Sequence, residues 1–260
     1  MNAVLRSRSF SLPKAGNSEE ENEDAVFADD VQGRYAISDG ATEGAYSRIW
    51  AHQLVKQYGE NPLYSAPQQE GMSLQEWLPV FEAGRISPDS SDHLPWYLEK
   101  GIERGSYATL LGIAFSKASE RHGVYEWDAV AIGDSCLFQV KADGFLDSFP
   151  LAFDYDFSNA PVLLSTVASS NKDAAKTLSH RTGVLLEGDR LLLVTDAFAA
   201  WIMKQSATSP EIVQKLVSLV DPDSFAELVD TERRSQRLKN DDSSLLVIEI
   251  GAGAVVRGTI

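Results

Sequence analysis

Apolar residues along this chain fall into short runs that Gly, Asp or Asn interrupt every few positions. Runs at 25–28, 34–38, 110–115, 127–132, 137–140, 162–164, 191–195 and 245–250 have the length and the boundaries of strands. Asp143-Gly144, after CLFQVKA, predicts a hairpin into a further short strand, and Gly188-Asp189 a turn before the next. Helical spacing is interleaved with these runs. Over 45–58, Ala51, Leu54, Val55 and Tyr58 recur at i, i+3, i+4 and i+7. Ser73-Leu-Gln-Glu76 spells a capping box ahead of Trp77 and Leu78. Ser209-Pro210-Glu211 offers a cap, a first-turn proline and an acidic first turn before Ile212, Val213, Leu216 and Val217. Residues 224–239 predict one more helix, whose basic end (Arg233, Arg234, Arg237, Lys239) suits a solvated C-terminus better than a docking patch. Many strands followed by a pair of long helices, with few strict β-α-β alternations, predict layered α+β architecture rather than a doubly wound sheet.

No repeat, low-complexity tract or linker divides the 260 residues, so a single domain over 1–260 is expected. The stretch 60–104, rich in Pro, Ser and aromatics, reads as an insertion or cap, with Trp77, Trp96 and Tyr97 as its small core. A hydrophobic content of 43% is enough for a real core. Charge narrows the partners: 23 basic against 38 acidic residues leaves −15. Duplex nucleic acid and anionic membrane both demand phosphate-neutralising Lys and Arg, so neither is expected as a partner. The lone cysteine, Cys136, excludes an intrachain disulfide framework and an all-cysteine zinc site. The N-terminal MNAVLRSRSFSLPK has no apolar segment behind its arginines, and the most apolar stretch, 191–203, is short and contains Asp196. The expectation is a cytoplasmic protein.

Chemistry enters with the positions of the acidic residues. Glu23-Asp24 precedes the first of these runs, Asp39-Gly40 follows RYAIS, and Gly133-Asp134 follows AVAI. Asp196 follows LLLVT, and Asp241-Asp242 precedes SSLLVIEI. If those strand ends converge, they gather carboxylates that only cations make tolerable. No His or Cys stands nearby at ligand spacing, and an all-oxygen donor set selects hard cations, Mg²⁺ or Mn²⁺, over Zn²⁺. Gly40, without a Cβ, would let its carbonyl approach an ion.

The wording of these segments resembles the metal-dependent Ser/Thr protein phosphatases of the PPM (type 2C) family, in a divergent bacterial form. The matching segments are NEDA (22–25), YAISDGATEG (35–44), GSYATLLGIAF (105–115), AIGDSCLFQVKADG (131–144), GDRLLLVTDAFAAWI (188–202) and NDDSSLLVIEI (240–250), in the family's order. The resemblance implies a sandwich of two antiparallel β-sheets flanked by helices, with a metal centre in a cleft at one end. It implies that Asp39 bridges two Mn²⁺ or Mg²⁺ ions and that the Gly40 carbonyl binds one of them. Asp24 with Glu23, Asp196 and Asp241 would complete the other shell, and Asp134 with Asp196 a weaker third site. A water between the ions would attack phosphorus directly, with Asp39 and Asp196 as the catalytic carboxylates and no phosphoenzyme. The implied partners are a phosphorylated protein substrate and a cognate Ser/Thr kinase.

Two positions depart from the family's pattern. Glu19 stands where its phosphate-binding Arg is expected, leaving Lys14, Arg48 or Arg181 as substitutes. Ala41 stands where a proposed general-acid His follows Asp-Gly, while Thr42 and Glu43 read as the start of the next helix. Two other readings remain. Asp154 and Asp156 in FDYDFS imitate the nucleophile and acid of haloacid-dehalogenase-type phosphatases, with Asp241-Asp242 as the late acidic pair. A metal-binding pseudophosphatase, holding a phosphoprotein without efficient turnover, is the non-enzymatic alternative. The four histidines are scattered, and Cys136 reads as a small buried hydrophobe.

Overall fold

Strand alternation governs how this chain layers. The computed structural model describes residues 3–42, 46–63, 74–81, 105–116, 124–157 and 160–252. In chain order the elements are β1 (Ala3–Leu12), β2 (Ala25–Asp29), β3 (Arg34–Ser38), α1 (Ser47–Glu60), α2 (Leu74–Trp77), β4 (Tyr107–Ala108), β5 (Leu110–Phe115) and β6 (Val124–Ile132). They continue with β7 (Cys136–Val140), β8 (Leu146–Phe149), β9 (Leu164–Ser165), α3 (Ala174–Thr177), β10 (Ser179–Leu186), β11 (Arg190–Val194), α4 (Asp196–Ser206), α5 (Glu211–Val217), α6 (Pro222–Arg234) and β12 (Ser243–Ala252). Ten strands form two antiparallel sheets, ordered β1-β12-β11-β7-β8 and β10-β6-β5-β3-β2, while β4 and β9 make a separate small ladder.

Leu191, Leu193, Leu246 and Ile248 point between the sheets, where they meet Tyr35, Ile37, Leu111, Ile113 and Trp127. Their neighbours Leu192, Val194, Leu245 and Val247 point the other way, beneath Phe198 and Trp201 of α4 and Phe225 of α6. On the outer face of the second sheet, Ala36, Leu110, Val130 and Ile132 lie under Trp50, Leu54 and Tyr58 of α1. Both faces of the central strands are therefore buried, which is why they read as unbroken apolar runs. The layers are helix, sheet, sheet, helix, as expected of an α+β sandwich.

Several boundaries differ from the sequence pattern. β1 and β10 carry no unbroken apolar run because each exposes one face, with Arg6 and Ser9 outward in β1 and His180 and Thr182 in β10, although Val4, Val184 and Leu186 are exposed too. Arg8 of β1 instead donates to the carbonyls of Leu219, at 2.6 Å, and Val217 behind α5. The apolar stretch 191–203 divides at Thr195 into strand β11 and helix α4, which period-2 and period-3.6 patterns run together cannot reveal. The strand expected at 162–164 is only Leu164–Ser165. α6 begins at Pro222, capped by Asp221 accepting from Ser224 N at 2.8 Å, and ends at Arg234 rather than at 239. Its basic end is largely solvated, as expected, with Arg234, Arg237 and Lys239 exposed; Arg233 is turned inward and donates to Pro13 O at 2.9 Å, and Arg237 clamps Glu232. α1 begins at Ser47, so Thr42 lies in the preceding turn. Of the expected cap, residues 60–63 and 74–81 are described; Trp77 is buried beside α1 and donates to Asn61 O at 2.6 Å. Glu43, Ser73, His93, Trp96, Tyr97 and His122 lie outside the described residues. Among the described residues no helix is long and apolar enough to cross a membrane.

Candidate active site

The strand-end aspartates do converge. β2 and β3 pair antiparallel, with Ala25 opposite Ser38, so Asp24 before one and Asp39 after the other meet at the same edge. Val194 pairs with Leu245, which brings Asp196 and the Asp241-Asp242 pair to that end of the other sheet. Asp134 sits in the β6–β7 turn, where Gly133 takes a φ of 100° and packs directly against Thr109. Thr109 ties the parts together. Its hydroxyl accepts from Asp39 N at 2.8 Å, its N–H donates to Asp39 O at 2.9 Å, and its hydroxyl bonds that of Ser135 at 2.8 Å. Gly40 has a packing reason of its own: a Cβ there would come within 2.9 Å of the backbone of Ser47 and Glu23. Only glycine lets the Asp39 turn lie against the start of α1.

Like charges dominate the cleft. Asp24 is buried, and desolvation first, then Asp242 and Asp196, push its carboxyl well above the usual range; the Ser244 and Thr195 hydroxyls oppose this. Asp39 is raised well above its usual value by desolvation and by Asp24, Asp196 and Asp134. Burial with Asp196 nearby pushes Asp134 up to about 6. Asp196 neighbours all of these; desolvation and Asp241 raise it, while the Lys239 ammonium and the Ala197 N–H hold it down. The Asp39 and Asp196 carboxyls are close enough to share a proton. Four carboxylates on separate elements thus destabilise one another unless positive charge is supplied.

Donor chemistry fits a hard divalent cation. Every side-chain donor is an oxygen, and Asp24 Oδ1 is buried without a hydrogen-bond partner, although Oδ2 accepts from the Thr195 hydroxyl at 3.0 Å. An orphaned buried carboxylate oxygen is costly, and a cation resolves that cost. Among the described residues no three His, Cys, Asp or Glu side chains stand in a geometry that encloses an ion. Asp241 lies at the rim, paired with Lys239 at 2.6 Å.

Asp242, not Asp241, is the buried member of the pair. It accepts from Lys14 N and Glu23 N, both at 2.8 Å, and so fixes the loop that carries Asp24. Adjacent aspartates before a strand do not reveal which one turns inward; the register of β12 decides it. Thr195, Thr109 and Lys239 are residues of the candidate site that sequence reasoning missed, and Asp242 was read only as one of a pair whose other member was taken as the ligand. The two threonines are flanking residues with no signature of their own. Lys239 was visible only as part of a basic helix end. Of the three substitute cations, Lys14 is nearest the centre, its Nζ 3.6 Å from Glu23 Oε2 and 3.5 Å from Thr42 Oγ1. Arg48 lies exposed beside Glu20 and His52, and Arg181 is engaged by Asp147 and the Ser148 carbonyl.

No protein-family model matches the chain, and no curated protein sequence matches it either. Solved structures do. The Mycobacterium tuberculosis serine/threonine phosphatase PstP/Ppp aligns with a TM-score of 0.57 over 95% of this chain and 98% of its own, at 16% identity. The PstP catalytic domain in complex with two manganese ions gives 0.55 over 96% and 100%, also at 16%. The PPM Ser-Thr phosphatase MsPP from Mycobacterium smegmatis, in complex with cacodylate, gives 0.50 over 95% and 99%, at 20%. The fold is that of the PPM-type Ser/Thr phosphatases. A PPM-type sandwich has no doubly wound parallel sheet, which removes the haloacid-dehalogenase alternative. Asp154 and Asp156 are instead exposed in the loop after β8. In the PPM-type frame Cys136 is a buried strand residue next to the Asp134 turn, its thiol pushed far up by burial.

Proposed function

We propose that this chain is a divergent PPM-family phosphatase that hydrolyses phosphoserine and phosphothreonine on proteins with two Mn²⁺ or Mg²⁺ ions, and a third bound more weakly. The observation that carries this reading is the unpartnered Oδ1 of buried Asp24, set among carboxylates from four other segments of the chain. Asp39, Asp196, Asp24, Asp241 and the Gly40 carbonyl would hold the two ions, and Asp134 with Asp196 the third. When bound, such ions supply positive charge for the phosphoryl oxygens and make water more acidic. The protein's own contribution is placement. Thr109 holds the Asp39 backbone, Thr195 orients Asp24, and Asp242 fixes the loop before it. The substrate class, a cognate kinase and a cytoplasmic location belong to the same reading; the likeness to protein phosphatases supports the fold that this reading needs.

The chelator-stripped protein should release no phosphate from phosphoserine or phosphothreonine peptides, and Mn²⁺ should restore release. Asp39→Asn should lower turnover by roughly 100-fold or more, beyond the ~10–100-fold typical of outer ligand-supporting residues, whereas Asp154→Asn should leave it intact. Full activity in excess chelator would overturn the reading. Glu19 and Ala41 give one specific reason for a second reading, a metal-binding pseudophosphatase. Tight Mn²⁺ and phosphopeptide binding without turnover would establish that alternative.

A further inference from the structure

Between α6 and β12 the chain passes beside the aspartate cluster, and it is pinned on both sides of a single lysine. Gln236 takes a φ of 58°, turning the chain off α6, and Leu238 is buried in the core beneath that helix. Arg237 grips Glu232 through its Nε and Nη2, each at 2.7 Å. Beyond the lysine, Asn240 Oδ1 accepts from Ala15 N at 2.7 Å, and Arg233 donates to the Asp241 carbonyl. These anchors fix the backbone of Lys239 while its side chain stays 67% exposed. Its Nζ lies 2.6 Å from Asp241 Oδ2 and 4.0 Å from Asp196 Oδ2, and the charge of Asp39 acts on it as well. An exposed ion pair is ordinarily a weak contact between two flexible side chains. Here one partner belongs to a cluster of mutually repelling carboxylates, so the same ammonium relieves Asp134 and Asp196 together.

We propose that Lys239 is a tethered counter-cation of the aspartate cleft, competing with divalent ions for Asp196 and Asp241 and so setting the metal concentration the protein requires. The proposal rests on the metal-dependent reading above and adds a residue to which that reading gives no role. Ammonium and metal ion both seek Asp241 Oδ2 and Asp196 Oδ2, and an oxygen bonded to one is less available to the other. The exposed stem lets Lys239 move into water when an ion enters. The consequence is a pair of effects of opposite sign. Removing the ammonium leaves the empty cleft with more uncompensated negative charge, and it frees the same carboxylates for metal.

The test is calorimetric titration of Mn²⁺ into chelator-stripped wild type, Lys239→Met and Lys239→Arg, with thermal melts of each metal-free protein. Lys239→Met should bind Mn²⁺ more tightly, roughly three- to tenfold for the loss of one neighbouring charge. Its metal-free form should melt about 2–4 °C lower. Lys239→Arg, which keeps the charge, should stay close to wild type in both. If Lys239→Met does not fold, Lys239→Gln carries the same expectations. A solvated lysine would move neither quantity. A lysine that serves only to hold substrate phosphate would raise KM and leave Mn²⁺ affinity unchanged. Either result, in a protein that still binds Mn²⁺, would overturn the proposal and leave the metal-dependent reading standing. Failure of wild type and variant alike to bind Mn²⁺ would overturn both.

Discussion

At position 41 a methyl group stands beside the aspartates where the family resemblance expects an imidazole. Its backbone is fully engaged, with Ala41 N donating to Tyr107 O at 2.8 Å and its carbonyl accepting from the Ser47 hydroxyl at 2.5 Å. The side chain is therefore the only part of the residue free to vary. General acid assistance is worth about 10²–10⁴-fold when the leaving group is a strong base such as a serine alkoxide, and far less for an aryl oxide. The unmodified protein should hydrolyse p-nitrophenyl phosphate readily relative to phosphoserine peptides, with a steep dependence of rate on leaving-group basicity. Ala41→His should flatten that dependence and favour the alkyl substrates. Rates independent of leaving-group basicity across substituted phenyl phosphates would show that another residue supplies the proton.

At the scale of elements, α1 is locked to its sheet by two exchanges of ring for glycine. The Tyr58 ring of α1 lies over Gly112 of β5, and the Phe27 ring of β2 lies over Gly59 of α1. A Cβ on Gly112 would come 2.3 Å from Tyr58 and one on Gly59 2.3 Å from Phe27, so the helix would have to lift. Gly112→Ala should cost about 1–3 kcal/mol, the usual range for overpacking a filled core. A denaturant titration with unchanged slope and a lower midpoint would report it. Because α1 begins just past the Asp39 turn, its displacement should also weaken Mn²⁺ binding. The helix itself was legible from the spacing of Ala51, Leu54, Val55 and Tyr58. Its seat was not, because a ring-over-glycine contact joins residues 54 positions apart and neither has a local signature.

For the whole molecule, the gathered carboxylates make stability depend on pH in an unusual direction. Asp134 titrates at about 6 when folded and at 3.8 when unfolded, and Asp24 and Asp39 are shifted the same way. Between those values the folded state holds more protons, so stability falls as pH rises. The contribution is fully present below about pH 4 and lost as pH passes through about 6. With metal bound the slope should reverse, because ions require the deprotonated carboxylates and stabilise by mass action. Melts at pH 5, 6, 7 and 8, with chelator and with Mn²⁺ at ~1–10 mM, should show the midpoint falling with pH in the first series and rising in the second. Parallel profiles would mean that the carboxylates are not where the ions bind.

Local pattern reached far in this protein. Short apolar runs marked most strands, because each central strand is buried on both faces and needs no partner to look apolar. Aspartates at run ends, with no His or Cys at ligand spacing, pointed to hard-cation chemistry before any contact was known. Two of the four edge strands, β1 and β10, stayed hidden: each exposes one face, so buried and exposed positions alternate and no unbroken apolar run marks them. Which acid turns inward also lay beyond the sequence, since Asp241 and Asp242 differ by one residue and strand register alone sends Asp242 to the loop before β2 and Asp241 to the rim. Lys239 shows the same limit most plainly. Read along the chain it ends a helix, and only the fold carries it past Ser235 to the carboxylates of Asp196 and Asp241. Side-chain type and spacing act over a few residues and can be read directly, whereas convergence of distant charges is a property of chain crossing and appears only once the sheets have paired.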